Sequence, residues 1–193
     1  MIRGRFFPIW VTASAIGAGL GVLLWVGLGA ILETSGFDPS SPLLPVLVGA
    51  AFGAMLGTGQ WLVIRRRIDQ AARWVLATTI GFAFVFLLGV FLPHDAVHLS
   101  ATSQIALGFG FGAAVALPPS SLQWLLVLRW QVSGAGWWIP ASMLAWAIAF
   151  ATSFGLRLAF GDLSFVAGPF IAFALTGLAL SRLLDVTRER RAA

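Results

Sequence analysis

The sequence predicts an all-α integral membrane protein with six transmembrane helices, arranged as three tandem helical hairpins with pseudo-threefold symmetry about the membrane normal. Of its 193 residues, 59% are hydrophobic and only 10% are charged, whereas a soluble domain carries roughly 25% charged residues. Six uncharged stretches each approach the ~20 residues that cross the hydrocarbon core of a bilayer. Similar sequence units also return at a regular interval, which is typical of repeat architectures.

The composition excludes several classes of protein. A folded chain of this size still exposes much of its surface, so a soluble domain cannot hide the apolar surface indicated by a mean hydropathy of +0.94. The absence of Cys excludes disulfides, zinc–thiolate sites and Fe–S clusters. The net charge of +5 comes from 12 arginines. In a membrane protein such residues set topology and meet anionic lipid headgroups, so we expect lipid rather than nucleic acid as their partner.

The apolar stretches follow one another with short polar segments between them. They cover residues 9–32, 40–64, 74–92, 102–128, 137–160 and 163–184. Closed β-barrels need alternating polarity, and runs such as FAFVFLL at 82–88 do not alternate. The first stretch is predicted to be a true span rather than a cleaved signal peptide, because its apolar run continues far beyond the small residues at 13–15. We expect the whole chain, 1–193, to form a single membrane domain.

The arginines predict the orientation of these spans. With the N-terminus in the cytoplasm, the cytoplasmic segments hold 11 of the 12 arginines, which is a nearly complete positive-inside bias. These are Arg3, Arg5, Arg65, Arg66, Arg67, Arg73, Arg129, Arg182, Arg188, Arg190 and Arg191. We therefore expect a multi-pass protein of the bacterial inner (cytoplasmic) membrane with cytoplasmic N- and C-termini.

Tryptophan is concentrated at the same ends of the spans. Seven of the nine Trp residues lie there, which is typical of an aromatic belt that anchors helices at the lipid headgroups. They are Trp10, Trp61, Trp74, Trp124, Trp130, Trp137 and Trp138.

Two sequence units recur at an offset of 63–64 residues. QWLVIR at 60–65 returns as QWLLVLR at 123–129, and ARWVLA at 72–77 returns as GWWIPA at 136–141. The first span fits the same frame, because its leading Trp lies 64 residues before the Trp of the second hairpin. The repeats cover approximately 1–68, 69–132 and 133–193. Since each contains two spans, all three insert in one orientation, and the axis that relates them runs along the membrane normal.

The second helix of each hairpin carries small residues at every fourth position. Positions i and i+4 share a helix face, and small residues there let backbones approach closely in lipid. We therefore expect these helices inside the bundle and the Trp-led helices outside. The expected packing residues are Gly49, Gly53, Gly57, Gly112, Ala116, Gly168 and Ala172. In the third hairpin Leu178 or Ala179 stands where the others have Gln, so this corner of the bundle is predicted to be apolar.

These repeated units resemble a group of bacterial membrane proteins. The pattern Gly-x3-Gly-x3-Gly-x2-Gln-Trp-Leu-x-x-Arg, followed by a short basic loop and Trp-x2-Ala-x3-Gly, is similar to uncharacterised multi-span bacterial proteins with repeated QWLxLR and WxxAxxxG units. The resemblance covers most of the chain. It implies an architecture and carries no activity with it.

Two glutamines and a proline pair are the candidate ligand-binding residues. Gln60 and Gln123 lie five and six residues inside the basic boundary, ~7–9 Å deep at ~1.5 Å per residue. A buried amide needs partners, so these residues either join helices or line a pocket open to the cytoplasm. Pro118 and Pro119 remove two helix hydrogen bonds and predict an interrupted span. With Ser120 they form either a site like those on broken transporter helices or a packing kink.

His94 and His98 are weak candidates for metal or pigment ligation. Their i, i+4 spacing would place both imidazoles on one helix face, as a metal or a tetrapyrrole requires. No third ligand accompanies them, and the alternative is a solvated loop before the fourth helix. Apart from this histidine pair, no feature of the sequence predicts a cofactor.

The apolar stretches contain no carboxylate, no phosphate-binding loop and no nucleophile–base set, so we expect no enzymatic activity. The sequence favours a non-enzymatic accessory or scaffold subunit of a larger membrane complex, embedded in the bilayer with anionic lipids at its cytoplasmic face. One alternative is a carrier or binding subunit for a small solute, a lipid or a quinone. The other is a pigment- or haem-binding subunit.

Overall fold

The structure is a computed structural model that describes residues 3–36, 38, 41–89, 100–161 and 164–192. Every regular element in these residues is helical. Each of the six long helices is long and apolar enough to cross a membrane. This confirms the prediction of an all-α, multi-pass membrane protein. The helices are α1 (Arg3–Thr34), α2 (Leu43–Ile64), α3 (Ala72–Gly89), α4 (Ala101–Gln123), α5 (Trp138–Phe160) and α6 (Ser164–Ala192).

The helices form a closed ring. Each helix packs against the next in the chain, and α6 returns against α1. Neighbours run antiparallel: Gly17 faces Met55 while Gly59 faces Ala13 across the α1–α2 contact. The α1–α6 and α3–α4 contacts are less extensive than the other four, so the three hairpins do not pack equally, and their threefold symmetry stays a prediction.

One end of the ring holds most of the basic residues. The loops at 65–71 and 129–134 lie there together with the first turn of α1 and the last turn of α6, and we call it the basic end. Gln131 joins the two loops, because its Oε1 accepts a hydrogen bond from Asp69 N and its Nε2 donates to the Asp69 carbonyl, both at 2.7 Å. The Thr187 hydroxyl on α6 accepts a third bond from Ser133 N at 2.9 Å.

The helix α4 is continuous through its prolines. It runs as one α-helix from Ala101 to Gln123, with Pro118 and Pro119 inside it, and continues as a π-helical turn over Trp124–Leu128. The predicted interruption of the helix at this pair is therefore wrong, and the alternative of a packing kink stays a prediction. The opposing helix has a glycine at this level: a Cβ on Gly81 of α3 would collide with Pro119 Cα. The ring of Pro119 thus packs against the space beside Gly81 at the α3–α4 contact.

Small residues of α2 and α4 face the backbone of the helix that follows. A Cβ built on Gly53 would lie 2.6 Å from the Thr78 carbonyl oxygen of α3, and one on Gly112 would collide with the Trp146 carbonyl of α5. Gly49 and Gly57 also face α3. Gly168 departs from this pattern, because its neighbours are Ala149 and Ser153 of the preceding helix α5.

The remaining small residues of the predicted set are buried. Ala116 and Ala172 lie inside the ring. The helices α2, α4 and α6 have 39%, 33% and 39% of their most apolar window buried, against 17% for α1 and 28% for α3 and α5. The small-residue helices are thus somewhat more buried, but all six helices line the interior of the ring, and the expected inner and outer positions stay a prediction.

Candidate functional site

A tryptophan, a glutamine and a hydroxyl meet between α1, α2 and α3. Trp74 Nε1 donates a hydrogen bond to Gln60 Oε1 at 2.8 Å, and Gln60 Nε2 donates to Ser14 Oγ at 3.4 Å. The indole N–H can only donate, so the amide oxygen must face Trp74 and the amide nitrogen must face the serine. We call such a set of residues a corner.

The same corner recurs between α3, α4 and α5. Trp138 Nε1 donates to Gln123 Oε1 at 2.9 Å, and Gln123 Nε2 donates to Thr78 Oγ1 at 3.0 Å. In both corners the glutamine of one hairpin bonds the hydroxyl of its own first helix and the tryptophan of the next hairpin. The two glutamines therefore tie three helices each. They sit inside the bundle, 7% and 6% exposed.

The corner residues follow the sequence repeat. Trp10, Trp74 and Trp138 are 64 residues apart, and a hydroxyl residue stands four positions after each of them. These hydroxyl residues are Ser14, Thr78 and Ser142, all buried. Residues i and i+4 share a helix face, and in α3 this face places the indole of Trp74 against Gln60 of the preceding helix and the hydroxyl of Thr78 against Gln123 of the following helix.

The third corner, between α5, α6 and α1, lacks its glutamine. Trp10 Nε1 instead donates to Thr176 Oγ1 over 3.4 Å, longer than the 2.7–3.2 Å of a good N–H···O bond. Leu178 is half exposed, and the buried residue at this level of α6 is Leu180. The corner is not apolar as predicted, because Thr176 and Ser142 bring two hydroxyls into it. In the described part of the chain, Ser142 Oγ is the buried side-chain polar atom without a hydrogen-bond partner.

The corners surround a small polar cavity of about 30 Å³. All six helices contribute to its wall, and both glutamines, Pro119 and Ser120 are part of it, whereas Pro118 is not among the described lining residues. Ser120 Oγ donates to the Ala116 carbonyl at 2.7 Å. Four of the five predicted ligand-binding residues thus meet at one place. At roughly 10–15 Å³ for a single water by this measure, the cavity has room for two or three waters.

A much larger apolar chamber lies next to this cavity, farther from the basic end. Its volume is about 1000 Å³, its wall includes residues of all six helices, and none of the described lining residues is polar or charged. Phe82, Trp146 and Phe173 line both spaces. Their rings contact one another edge to face, with centroids 6.4 Å apart for Phe82–Trp146 and 6.0 Å for Trp146–Phe173.

The chamber reaches the outer surface beside α1 and α6. Its lining residues Leu23, Trp25 and Phe170 are themselves exposed. A Cβ built on Gly19, which also lines the chamber, would meet no atom within 4 Å. The chamber is therefore bordered by exposed apolar residues of α1 and α6.

Three of the seven tryptophans predicted to form an interfacial belt do not belong to it. Trp10, Trp74 and Trp138 are buried and hydrogen-bonded, and their rings form a chain, with centroids 6.1 Å and 5.5 Å apart. Trp130 and Trp137 are largely exposed and remain compatible with a belt. The prediction was wrong for the buried three because position near a basic boundary does not tell which way a side chain faces.

Sequence reasoning missed the corner hydroxyls and the role of these tryptophans. The signal was present, since a hydroxyl residue follows each repeat tryptophan by four positions. The histidines predicted as weak ligands, His94 and His98, lie outside the described residues. Among the residues that are described, no group of three or more His, Asp or Glu could hold a metal ion.

Comparison with protein-family models, curated proteins and solved structures finds no match to this chain. The two cavities and their lining residues are therefore the features that indicate a function.

Proposed function

We propose that this protein holds a largely apolar, chain-bearing molecule, such as a lipid or an isoprenoid quinone, within the membrane. The observation that carries the proposal is the apolar chamber. Its volume of about 1000 Å³ lies at the upper end of the ~300–1000 Å³ that ligand pockets occupy. A wall of Phe, Trp, Val, Leu, Ala, Gly and Pro suits an aliphatic chain and offers nothing to an ion or a sugar.

Water is a poor occupant of the chamber, because its wall offers almost no hydrogen-bond partners. The exposed lining residues Leu23 and Phe170 would lie among lipid chains in a membrane. Apolar molecules are therefore the occupants that the chamber favours.

Purification in a mild detergent with native mass spectrometry tests the proposal. We expect about one equivalent of an apolar molecule bound to the wild-type protein. Ala18→Trp places an indole in the chamber wall and should weaken binding, whereas Ala30→Trp, at an exposed position of the same helix, should leave it unchanged. Equal occupancy in the two variants, or an empty wild-type protein that also binds no added alkane, would refute the proposal.

A second candidate function is that of an accessory subunit in a larger membrane complex. It is supported by the outer half of α1, where Val22, Leu23 and Val26 are exposed and Gly27 and Gly29 have no atom within 4 Å of an added Cβ. Open glycine positions allow a second helix to approach closely. Native-membrane pull-down should recover a stoichiometric partner from the wild type, and Gly27→Leu should release it. Recovery of the protein alone, from gently solubilised membranes, would exclude this function.

The proposal includes the orientation inferred from the arginines. Both termini face the cytoplasm of a bacterium and the protein lies in the inner membrane, supported by the cluster of arginines at the basic end. Because the chain has no Cys, a single introduced thiol reports without background. Gln70→Cys, in the basic loop, should react with a membrane-impermeant maleimide only in inverted vesicles, and Asp38→Cys only in intact spheroplasts. The opposite labelling pattern would reverse the orientation.

We propose, finally, that the three hairpins derive from one repeated unit with pseudo-threefold symmetry about the membrane normal. Support comes from the two corners built alike around Gln60 and Gln123. The third hairpin has diverged, since Gly168 faces the preceding helix and Leu180 takes the inward position.

A further inference from the structure

The third corner leaves a hydroxyl without a partner at the centre of the bundle. Ser142 is 3% exposed, and its Oγ makes no hydrogen bond within the described residues. The corresponding oxygens of Ser14 and Thr78 each accept a bond from a glutamine amide. A buried hydroxyl with no partner is costly, and nearly all such groups in native proteins are bonded to protein or to a bound molecule.

The space beside Ser142 is small and uncharged. Ser142 lines the polar cavity, whose volume of about 30 Å³ admits two or three water-sized groups. No charged side chain is among its described lining residues, so a carboxylate, phosphate or ammonium group would be buried there unpaired, at a high cost. The chemistry that fits is a single neutral oxygen that can exchange a hydrogen bond with a hydroxyl.

Such an oxygen has two possible sources. One is a bound water. The other is a hydroxyl or carbonyl at the end of the molecule that fills the apolar chamber, because the cavity and the chamber share Phe82, Trp146 and Phe173 in their walls. The second source rests on the proposed function and the first does not.

We infer that the third corner is a binding site for one neutral oxygen, with Ser142 Oγ as its hydrogen-bond partner, in the place that a glutamine amide occupies at the other two corners. When the chamber is filled, this site selects molecules with an uncharged polar end, such as long-chain alcohols, ketones or quinones, over plain hydrocarbons and charged lipids.

Native mass spectrometry of the purified protein with 1-hexadecanol and with hexadecane tests this inference. One neutral hydrogen bond contributes enough to give about a three- to tenfold preference for the alcohol in the wild type. Ser142→Ala should remove the preference. Ser153→Ala, another buried serine of α5 that lies eleven residues further along the helix, should retain it. A preference that survives in Ser142→Ala would overturn the inference.

If the wild type shows no preference for the alcohol, thermal unfolding of the same variants decides between water and an unpaired hydroxyl. A Tm of Ser142→Ala several degrees below that of the wild type, with Ser153→Ala as the reference, means that the hydroxyl holds a water. An unchanged or higher Tm means that nothing binds there, and the inference is wrong. Failure of the proposed function is a separate result: neither compound then binds, and the Tm comparison still tests the third corner.

Discussion

The two halves of the bundle are built by different means. Near the basic end, three buried tryptophans and two glutamines tie neighbouring helices with directed hydrogen bonds, and the space between them is almost filled. In the other half, contacts among apolar side chains leave a chamber of about 1000 Å³. Lipid chains are as apolar as leucine, so apolar side chains in a membrane gain little by facing one another. Glycines such as Gly49 and Gly108 still hold neighbouring helices close at the level of the chamber, so the space for a ligand lies between the apolar side chains at the centre of the ring.

Gly53→Leu should have the largest effect, because it forces apart two helices that touch through their backbones. The new Cβ would lie 2.6 Å from the Thr78 carbonyl oxygen and 2.8 Å from Thr79 Cα. We expect a loss of about 3 kcal/mol or more, seen in thermal unfolding in detergent as a fall in Tm of roughly 6–12 °C. Gly27→Leu is the control, since a Cβ there meets no atom within 4 Å. If the two variants have the same Tm, the close approach of α2 and α3 does not stabilise the bundle.

Trp74→Phe should come next, because it removes the indole that bonds Gln60. The phenyl ring leaves the amide oxygen unpaired and a small void behind, which together destabilise by about 2–3 kcal/mol. Trp137→Phe, at a residue that is 72% exposed, should change the free energy of unfolding by less than about 0.5 kcal/mol. Chemical unfolding in mixed micelles measures both. If the two variants lose similar free energies of unfolding, the loss of aromatic area, and not of the hydrogen bond to Gln60, explains the effect of Trp74→Phe.

The third corner should contribute less than the second. Trp138→Phe breaks a 2.9 Å bond to an amide oxygen, and Trp10→Phe breaks a 3.4 Å bond to a hydroxyl. We expect the Trp10 variant to lose about 1 kcal/mol less. Both rings are almost fully buried, so the difference between the two unfolding free energies isolates the hydrogen bond. A larger loss for the Trp10 variant would contradict the ranking of the corners.

The smallest effect is expected in the chamber. Ala18→Phe adds a ring to the chamber wall, where free space exists, and should change stability by less than about 0.5 kcal/mol. The same change at Ala77, which is fully buried in the helix of Trp74, overpacks the core and should lower the free energy of unfolding by about 1–3 kcal/mol. Thermal melts of the two variants make the comparison. A strongly destabilised Ala18→Phe protein would indicate that the chamber is closed in solution.

The six helices could be predicted because the length and polarity of each segment are local properties. An apolar stretch of ~20 residues has few alternatives to a membrane helix. Most of the observed helix limits lie within a few residues of the predicted ones, although α1 begins at Arg3 and α6 ends at Ala192, beyond the apolar stretches. The meeting of Gln60 and Gln123 at one cavity also followed from the repeat. The continuous path of α4 did not, because proline in a helix interior is expected to break or kink it.

The sequence by itself determined the class of the protein, the number of its apolar spans and the inward-facing glutamines Gln60 and Gln123. It contained the pairing of Trp with a hydroxyl four positions later, although position alone did not distinguish a buried indole from one at the lipid headgroups. It also showed that the third hairpin lacks the glutamine. Only the tertiary structure decided that Trp10 bonds Thr176, that Ser142 Oγ has no partner among the described residues, and that a large apolar space adjoins the polar one. The bond between Trp10 and Thr176 joins residues 166 positions apart, and such contacts are set by side-chain packing between helices, to which no local pattern is sensitive.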